Sequence, residues 1–555
     1  MPAAPLLRVW GERRPAMRNR NSQLKKYWIA NRSCRSAGGL IGGTEKGAPT
    51  EQLNREAVFV LAHRQVDDKD KQYTLQFYGS QGFAALPILL YMAVAAVISI
   101  GLHYYGMEAL IFASLVGLLV GFFFCKNKLE YWASCVRGLT QFGNANLIFI
   151  FIIIAIFGKV LVAGNIGGGL LWVGLNFGLQ GGAFVVLVFI GCAIFAMGSG
   201  APFPALLALV PIFYPTGIML GADPTVLVGA MISGVFFGDA LSPSSQVIHV
   251  TINSQHDPGT GRPADLVEVM KARTPYLVAI ALISAVLFFF LGGSGTAASS
   301  AQELVGMADA RGLLMFVPIA LLLAICIKKR NLLLGVSWAI PVGIALGLAS
   351  GLMEPSALFA LDFAKQQMHG VFIDGVTSSV NLVFASILLF GMIQIAIEGG
   401  ILEKCCNFLM NLRMAKKPAG AEGIVALGTG VISCLLSGSE LPTVIMFKDV
   451  VENIGQRSGI SANRRSILLT AMATNIPAIV PVNSIFVMGS ITLIAGLAAG
   501  NPVLPLVAPV PIFLSSFYPI LLAAVCFMWV VFGFGRKRTA CNPAIEKENA
   551  VVSNG

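Results

Sequence analysis

Long, nearly unbroken runs of apolar residues limit what this chain can fold into more than any other feature. A hydrocarbon core about 30 Å thick is crossed by about 20 apolar residues in a helix. Runs of that kind cover 83–102, 107–125, 145–163, 182–198, 275–293, 312–327, 333–352, 376–397 and 515–534. Less uniform runs at 203–221, 225–250, 424–436, 440–456, 465–479 and 481–500 are interrupted by Gly, Pro, Ser, Thr and Asn. In a bilayer every backbone polar group needs an internal partner, which makes these runs helices. The expectation is an all-α polytopic membrane protein with about 10–12 transmembrane helices. Composition agrees: 56% of the 555 residues are hydrophobic and 12% charged. A soluble domain carries about 25% charge, so too little polar surface is left to clothe a globule in water.

The net charge of +11 is uneven, since residues 1–75 hold 14 Lys/Arg against 7 Asp/Glu. That basic segment lacks the apolar stretch of a cleavable signal. It reads as a disordered cytoplasmic tail, or as residues ahead of a natural start near Tyr73. Clusters of Lys and Arg stay cytoplasmic. Lys126, Lys128, Arg137, Lys328, Lys329, Arg330, Lys404, Arg413, Lys416, Lys417, Arg536, Lys537 and Arg538 therefore place both termini inside a prokaryotic cytoplasmic membrane. The divisions that follow are the tail 1–75, a helical hairpin 76–137, a first repeat 138–274, linking helices 275–370, a second repeat 371–513, and a last helix with its tail at 514–555. The polar stretch 253–274 reads as a cytoplasmic loop. No basic patch with interleaved aromatics argues for nucleic acid. The ten cysteines form no CxxC pair and read as buried thiols.

The repeats rest on an offset of 238 residues, which aligns Ser199-Gly200-Ala-Pro-Phe-Pro204 with Ser437-Gly438-Ser-Glu-Leu-Pro442. Without a gap it also pairs Gly217 with Gly455, Gly221 with Gly459 and Pro243 with Pro481. These residue types interrupt helices, and internally duplicated membrane proteins interrupt theirs at corresponding places. Arg137 precedes the run 145–163, whereas Lys404 follows its counterpart 376–397. The two halves are therefore expected to be inverted repeats containing broken or re-entrant helices.

A broken helix leaves backbone N–H and C=O groups free at its two new ends, ready for ions or small solutes. Four interrupted segments qualify. Ser199 opens the first, at 198–204. Asp239, Ser242, Ser245 and Gln246 lie in the second, at 234–246, where a carboxylate inside an apolar run needs a cation, a proton or a partner. Asp239 and Ser242 are the first candidates to hold a transported Na⁺. Ser437 and Glu440 belong to the third, and Asn475 and Asn483 flank the prolines of the fourth. Lys159, Asp374, Asn381, Glu398, Lys448, Asp449 and His249 read more simply as paired or interfacial groups.

The segment Ser233-Gly-Val-Phe-Phe-Gly-Asp-Ala-Leu-Ser-Pro-Ser-Ser245 resembles a motif of the NhaC-type sodium/proton antiporters, within the wider ion-transporter superfamily. Lys271-Ala-Arg-Thr-Pro-Tyr276 and the stretch 461–490 are similar to the family as well, and the likeness covers roughly residues 140–500. One departure counts: the family's Ser-Asp-Thr-Thr is Ser245-Gln246-Val247-Ile248 here. The resemblance implies a secondary transporter driven by an ion gradient through alternating access. Two cargoes stay open. One is Na⁺ against H⁺, and the other is a small organic solute, an amino acid or carboxylate, coupled to Na⁺ or H⁺. Gln246 shifts weight to the solute. The expected partners are a small ion or solute and the lipid bilayer, with a homodimer left open. No cofactor is expected beyond the coupling ion. A channel needs a continuous pore, nucleotide-driven transport a GxxxxGK[ST] loop, and a membrane enzyme a clustered nucleophile or metal motif; the five scattered histidines supply none.

Overall fold

The computed structural model describes residues 75–257, 261–293, 305–363, 366–412, 418–501, 503–534 and 536. The tails proposed at 1–75 and beyond Arg536 lie outside these, apart from Leu75, as do Arg413, Lys416, Lys417, Lys537 and Arg538. The first half comprises α1 (Gln81–Gly101), α2 (Met107–Phe124), α3 (Lys128–Thr140), α4 (Phe142–Ala163), α5 (Ile166–Asn176), α6 (Gly182–Ser199), α7 (Pro202–Met219), α8 (Pro224–Leu241), α9 (Gln246–Ser254) and α10 (Leu266–Leu291). The second comprises α11 (Ala310–Lys329), α12 (Leu332–Ala349), α13 (Val371–Glu398), α14 (Ile401–Met410), α15 (Pro418–Leu435), α16 (Glu440–Arg457), α17 (Ala462–Ala473), α18 (Ile485–Gly500), α19 (Pro509–Ser515) and α20 (Phe517–Phe532). Between α12 and α13, β1 (Ala360–Asp362) and β2 (Gln367–His369) form a small antiparallel ribbon.

Eleven helices among the described residues are long and apolar enough to cross a bilayer, or twelve if α19 and α20, bent by 59°, count as one span. This is an all-α polytopic membrane protein. Its most apolar surroundings are central: 83% of the α7 window and 78% of the α8 window are buried, against 28% for α10. Phe289, Phe290 and Leu282 on α10 are exposed, as a lipid-facing stripe must be. α3 is too polar to span and is amphipathic. Asn127 caps it by accepting from the Glu130 amide at 3.2 Å. Arg137 in its last turn pairs with Glu130 at 2.7 Å and bonds Glu398 of α13 through Nε at 2.8 Å. That clasp absorbs Glu398.

The membrane-crossing elements of the two halves correspond in order, while α3 has no comparable helix in the second half. At the 238-residue offset both ends of α7 coincide with both ends of α16, and the start of α8 coincides with that of α17. Gly221 and Gly459, also paired, are left-handed at φ +76° and +68°. The packing exchanges in the same way: α9 lies on α16 as α18 lies on α7, α2 on α13 as α12 on α4, and α6 on α10 as α15 on α20. α4 and α13 meet at the centre.

The two halves face opposite ways. In the first, the Gly181 amide donates to the Leu220 carbonyl at 2.9 Å and the Asp223 amide to Gly292 at 2.8 Å. The start of α6, the end of α7, the start of α8 and the end of α10 therefore share one face. In the second, Glu422 at the start of α15 takes Arg464 of α17 at 3.1 Å and Arg536, beyond α20, at 2.7 Å. That face is the other one. The Ala462 amide donates to Asp257 at 3.0 Å, and the Asp265 amide to Asn463 at 2.8 Å, which sets the α9–α10 turn beside the α16–α17 turn. The described Lys and Arg sit at or within about two turns of this second face, except Lys159 and Arg311.

The depth of the first hairpin follows from its tip, where Gly200 lies against Ser244 in the α8–α9 break, together with the lengths of the helices beside it. α6, α7 and α8 have 18 residues each and α10 has 26. At 1.5 Å per residue these are about 27 Å and about 39 Å. The difference is close to the nine residues of α9, which continues where α8 stops. The α6–α7 hairpin therefore turns back at the depth of the α8–α9 break and is re-entrant, and α15–α16 repeats this from the opposite side. One expectation is corrected. Residues 266–274, read as loop, form the first turns of α10, capped by Asp265 accepting from the Glu268 amide at 2.8 Å.

Candidate functional site

Each hairpin must reverse in a few residues. In the first, Gly200 takes φ +64° after α6, and Pro202 opens α7 with the fixed φ that suits a first helical position. In the second, Ser437 and Gly438 are both left-handed, at φ +62° and +71°. Both tips are pressed onto the break of their own half. A Cβ on Gly200 would lie 2.7 Å from the Ser244 carbonyl oxygen, and one on Gly438 2.6 Å from that of Ala478. The Ile485 amide, first in α18, donates to the Ser437 carbonyl at 3.0 Å.

Asp239, in the last turn of α8, is buried in the first break. Its Oδ2 accepts from the Ser245 hydroxyl at 3.0 Å, and its Oδ1 has no hydrogen-bond partner among the described residues. Ser242 shapes the break, its hydroxyl accepting from the Ser244 amide at 3.1 Å. Arg273 reaches in from α10 and donates to the Ala240 carbonyl. Its guanidinium thus sits at the negative end of α8 and interacts electrostatically with Asp239. Glu440, first residue of α16, is 5% exposed, and its Oε1 is also without a partner among the described residues.

Between the two tips is a cavity of about 90 Å³. Ser114, Gln246, Ser386, Ser437, Ser439 and Glu440 supply polar lining, and Phe151, Phe203, Phe390 and Phe486 much of its wall. Tyr91 of α1 joins them, its hydroxyl hydrogen-bonded to that of Ser437. A wider vestibule of about 630 Å³ lies along the same helices, one to three turns nearer the face opposite the basic one. It is lined by Glu108, Ala155, Lys159, Leu207, Asn381 and Thr492, among others.

Of the residues singled out in the sequence, Gln246, Ser437 and Glu440 line the cavity, and Asp239 with Ser245 lies behind it. The others face elsewhere. Ser199 turns its hydroxyl to the Ala196 carbonyl at 3.4 Å. Asn483 donates to the Cys434 carbonyl at 2.7 Å and so ties the second break to the second tip. Asn475 lies against the Met472 sulfur at 3.1 Å. His249 contacts the Pro243 carbonyl at 2.9 Å, and Lys448 pairs with Asp449 at 3.7 Å. No cluster of three or more His, Cys, Asp or Glu able to hold a metal occurs among the described residues. Tyr91 and Arg273 escaped the sequence reading. The Asp265-Leu-Val-Glu268 capping pattern marks the start of α10 and would have drawn Arg273 into the membrane.

The fold and site define an inverted-repeat membrane protein with two re-entrant hairpins and two broken helices. No protein family's sequence profile matches the chain, and no curated protein does. Among solved structures it is similar to the YdaH transporter of Alcanivorax borkumensis, whose topology is described as unusual. The identity is 13% and the TM-score 0.39, over 74% of this chain and 90% of that one.

Proposed function

We propose that this protein is a secondary transporter that works by alternating access and is driven by a Na⁺ or H⁺ gradient through Asp239 and Glu440. The observation that carries the reading is the pair of buried carboxylates where two oppositely entering hairpins meet, each with an oxygen lacking a partner among the described residues. A carboxylate at that depth costs several kcal/mol unless a cation, a proton or a hydrogen-bond partner compensates it. Two carboxylates this deeply buried favour loading of each by a cation or a proton. Asp239 with the Ser245 hydroxyl is the place for Na⁺ or a proton, and Arg273 is a resident positive charge that a cation must compete with. The vestibule gives access from the face poor in Lys and Arg. The positive-inside rule makes that the outer face of a cytoplasmic membrane.

The resemblance to NhaC-type antiporters supports Na⁺/H⁺ exchange as the simplest form of this activity. The aromatic-walled cavity between the tips favours a second form, in which the same ions drive a small organic solute. The test is reconstitution of the full chain in proteoliposomes, with an interior pH dye and ²²Na⁺. An imposed Na⁺ gradient is expected to move protons or labelled solute, and Asp239→Asn to abolish this in a protein that still inserts and elutes as a single species. Undiminished coupling in that variant would refute the assignment.

A further inference from the structure

We infer that the cavity between the tips binds a small zwitterionic solute, an amino acid with a short apolar side chain, its carboxylate on helix N-termini and its ammonium on Glu440. This rests on the transporter reading and names its cargo.

Three helices begin at this cavity without a side-chain cap. They are α7 at Ala201–Pro202, α9 at Gln246–Val247 and α16 at Ser439–Glu440. The first-turn amides of a helix have no intrahelical acceptor, and in the middle of a membrane no bulk water reaches them. Pro202, Pro204 and Pro442 carry no N–H, so the donors are Phe203 on α7, Gln246, Val247 and Ile248 on α9, and Glu440 and Leu441 on α16. Elsewhere α3, α5, α8, α10, α12 and α17 each have a capping side chain at this position, and α2, α4, α6, α13, α14, α19 and α20 have none. What sets α7, α9 and α16 apart is that their uncapped ends open on one cavity. A fourth N-terminus at the cavity, α18, is capped by its own Ser484, which accepts from the Val487 amide at 3.3 Å. The three uncapped ends carry partial positive charge into one small space, a setting for an anion.

The independent observation is Glu440. Its Oε1 is buried and unpartnered among the described residues, and the side chain lines the same cavity. A simple anion would be repelled by an ionised Glu440. A solute with an ammonium group one carbon from its carboxylate satisfies both features together. Apart from the hydroxyl and amide side chains named above, the wall is apolar, formed by Leu110, Leu147, Phe151, Phe203, Leu389 and Phe486 among others. At about 90 Å³ it is smaller than the roughly 150 Å³ cavity known to accept benzene. In this conformation it suits a short aliphatic side chain rather than a ring.

The experiment is counterflow in proteoliposomes, which needs no ion gradient and so is independent of coupling. Vesicles holding the full chain are preloaded with L-alanine, and entry of labelled L-alanine is followed with glycine, L-valine, propionate and ethylamine as competitors. Labelled alanine is expected to accumulate and to be displaced by glycine and valine, with propionate and ethylamine, each lacking one charge, at least about ten-fold weaker. Glu440→Gln is expected to weaken alanine by about ten-fold or more while leaving propionate unchanged or improved, and Glu440→Asp to restore part of the alanine affinity. The shift in preference is a readout that misfolding alone does not produce. Propionate taken up in place of alanine, with Glu440→Gln showing no change of preference, would overturn the inference. Gradient-driven Na⁺/H⁺ exchange without counterflow of any of these solutes would overturn it and leave the transporter reading standing. Absence of both fluxes in correctly inserted protein would remove both.

Discussion

Replacing Gly200 by alanine tests the seam on which the site depends. Gly200 has φ +64°, and a residue with a Cβ pays about 1–2 kcal/mol in that region. The new methyl would stand 2.7 Å from the Ser244 carbonyl oxygen. To regain ordinary contact the tip must withdraw from the break by roughly 0.7 Å. Overpacking of this kind costs about 1–3 kcal/mol, so the total is about 2–5 kcal/mol. Folded proteins have only about 5–15 kcal/mol in all. Gly351→Ala is the control: its φ is +69°, but among the described residues nothing lies within 4 Å of the added methyl. Thermal unfolding in detergent should rank wild type above Gly351→Ala and Gly351→Ala above Gly200→Ala. Ser244 and Ser245 shape the surroundings of Asp239, so ion-coupled flux should fall further than stability does. A Gly200→Ala protein as stable as Gly351→Ala and with full flux would mean that tip and break are not in contact.

Other expectations follow from the same geometry. Gly438→Ala should behave like Gly200→Ala, as its Cβ meets the Ala478 carbonyl at 2.6 Å; unfolding and flux measured together check this. Glu422 is fully buried between Arg464 and Arg536, so Glu422→Gln should cost about 3–5 kcal/mol, seen as a lower Tm without a change in ion selectivity. Arg273→Met removes the resident positive charge beside Asp239. It should raise apparent Na⁺ affinity in ²²Na⁺ binding, and a lowered affinity would count against competition between the two. In a cysteine-free background, Thr377→Cys in the vestibule should react with a membrane-impermeant maleimide added to whole cells; labelling only after permeabilisation would reverse the proposed orientation.

Much of the architecture was legible because its signals are local. Apolar runs mark spans wherever they fall, and the Ser-Gly and Pro positions shared at the 238-residue offset turned out to sit at helix ends. Residues such as Gly200 and Gly438 advertise a reversal by their own conformational needs. The site was only partly legible, because the direction a side chain takes depends on distant partners. Ser199 and Ser437 are equivalent by offset, yet one bonds its own helix and the other meets Tyr91 from a helix more than 300 residues away. Arg273 was hidden by its setting. It stands among charged residues just before an apolar run, and only the packing of α10 against α8 turns it inward.

The re-entrant hairpins also carry a lesson in parity. A segment that enters and leaves by one face adds nothing to the tally of traverses. Each half then traverses five times: α1, α2, α4, α8 with α9, and α10 in the first, and α11, α12, α13, α17 with α18, and α19 with α20 in the second. An odd number obliges the second copy to start on the side where the first finished, upside down relative to it. Antiparallel placement of the copies, and the return of the described chain at Arg536 to the side where it began at Leu75, are thus consequences of counting. They would survive even if both hairpins were lengthened into complete pairs of spans.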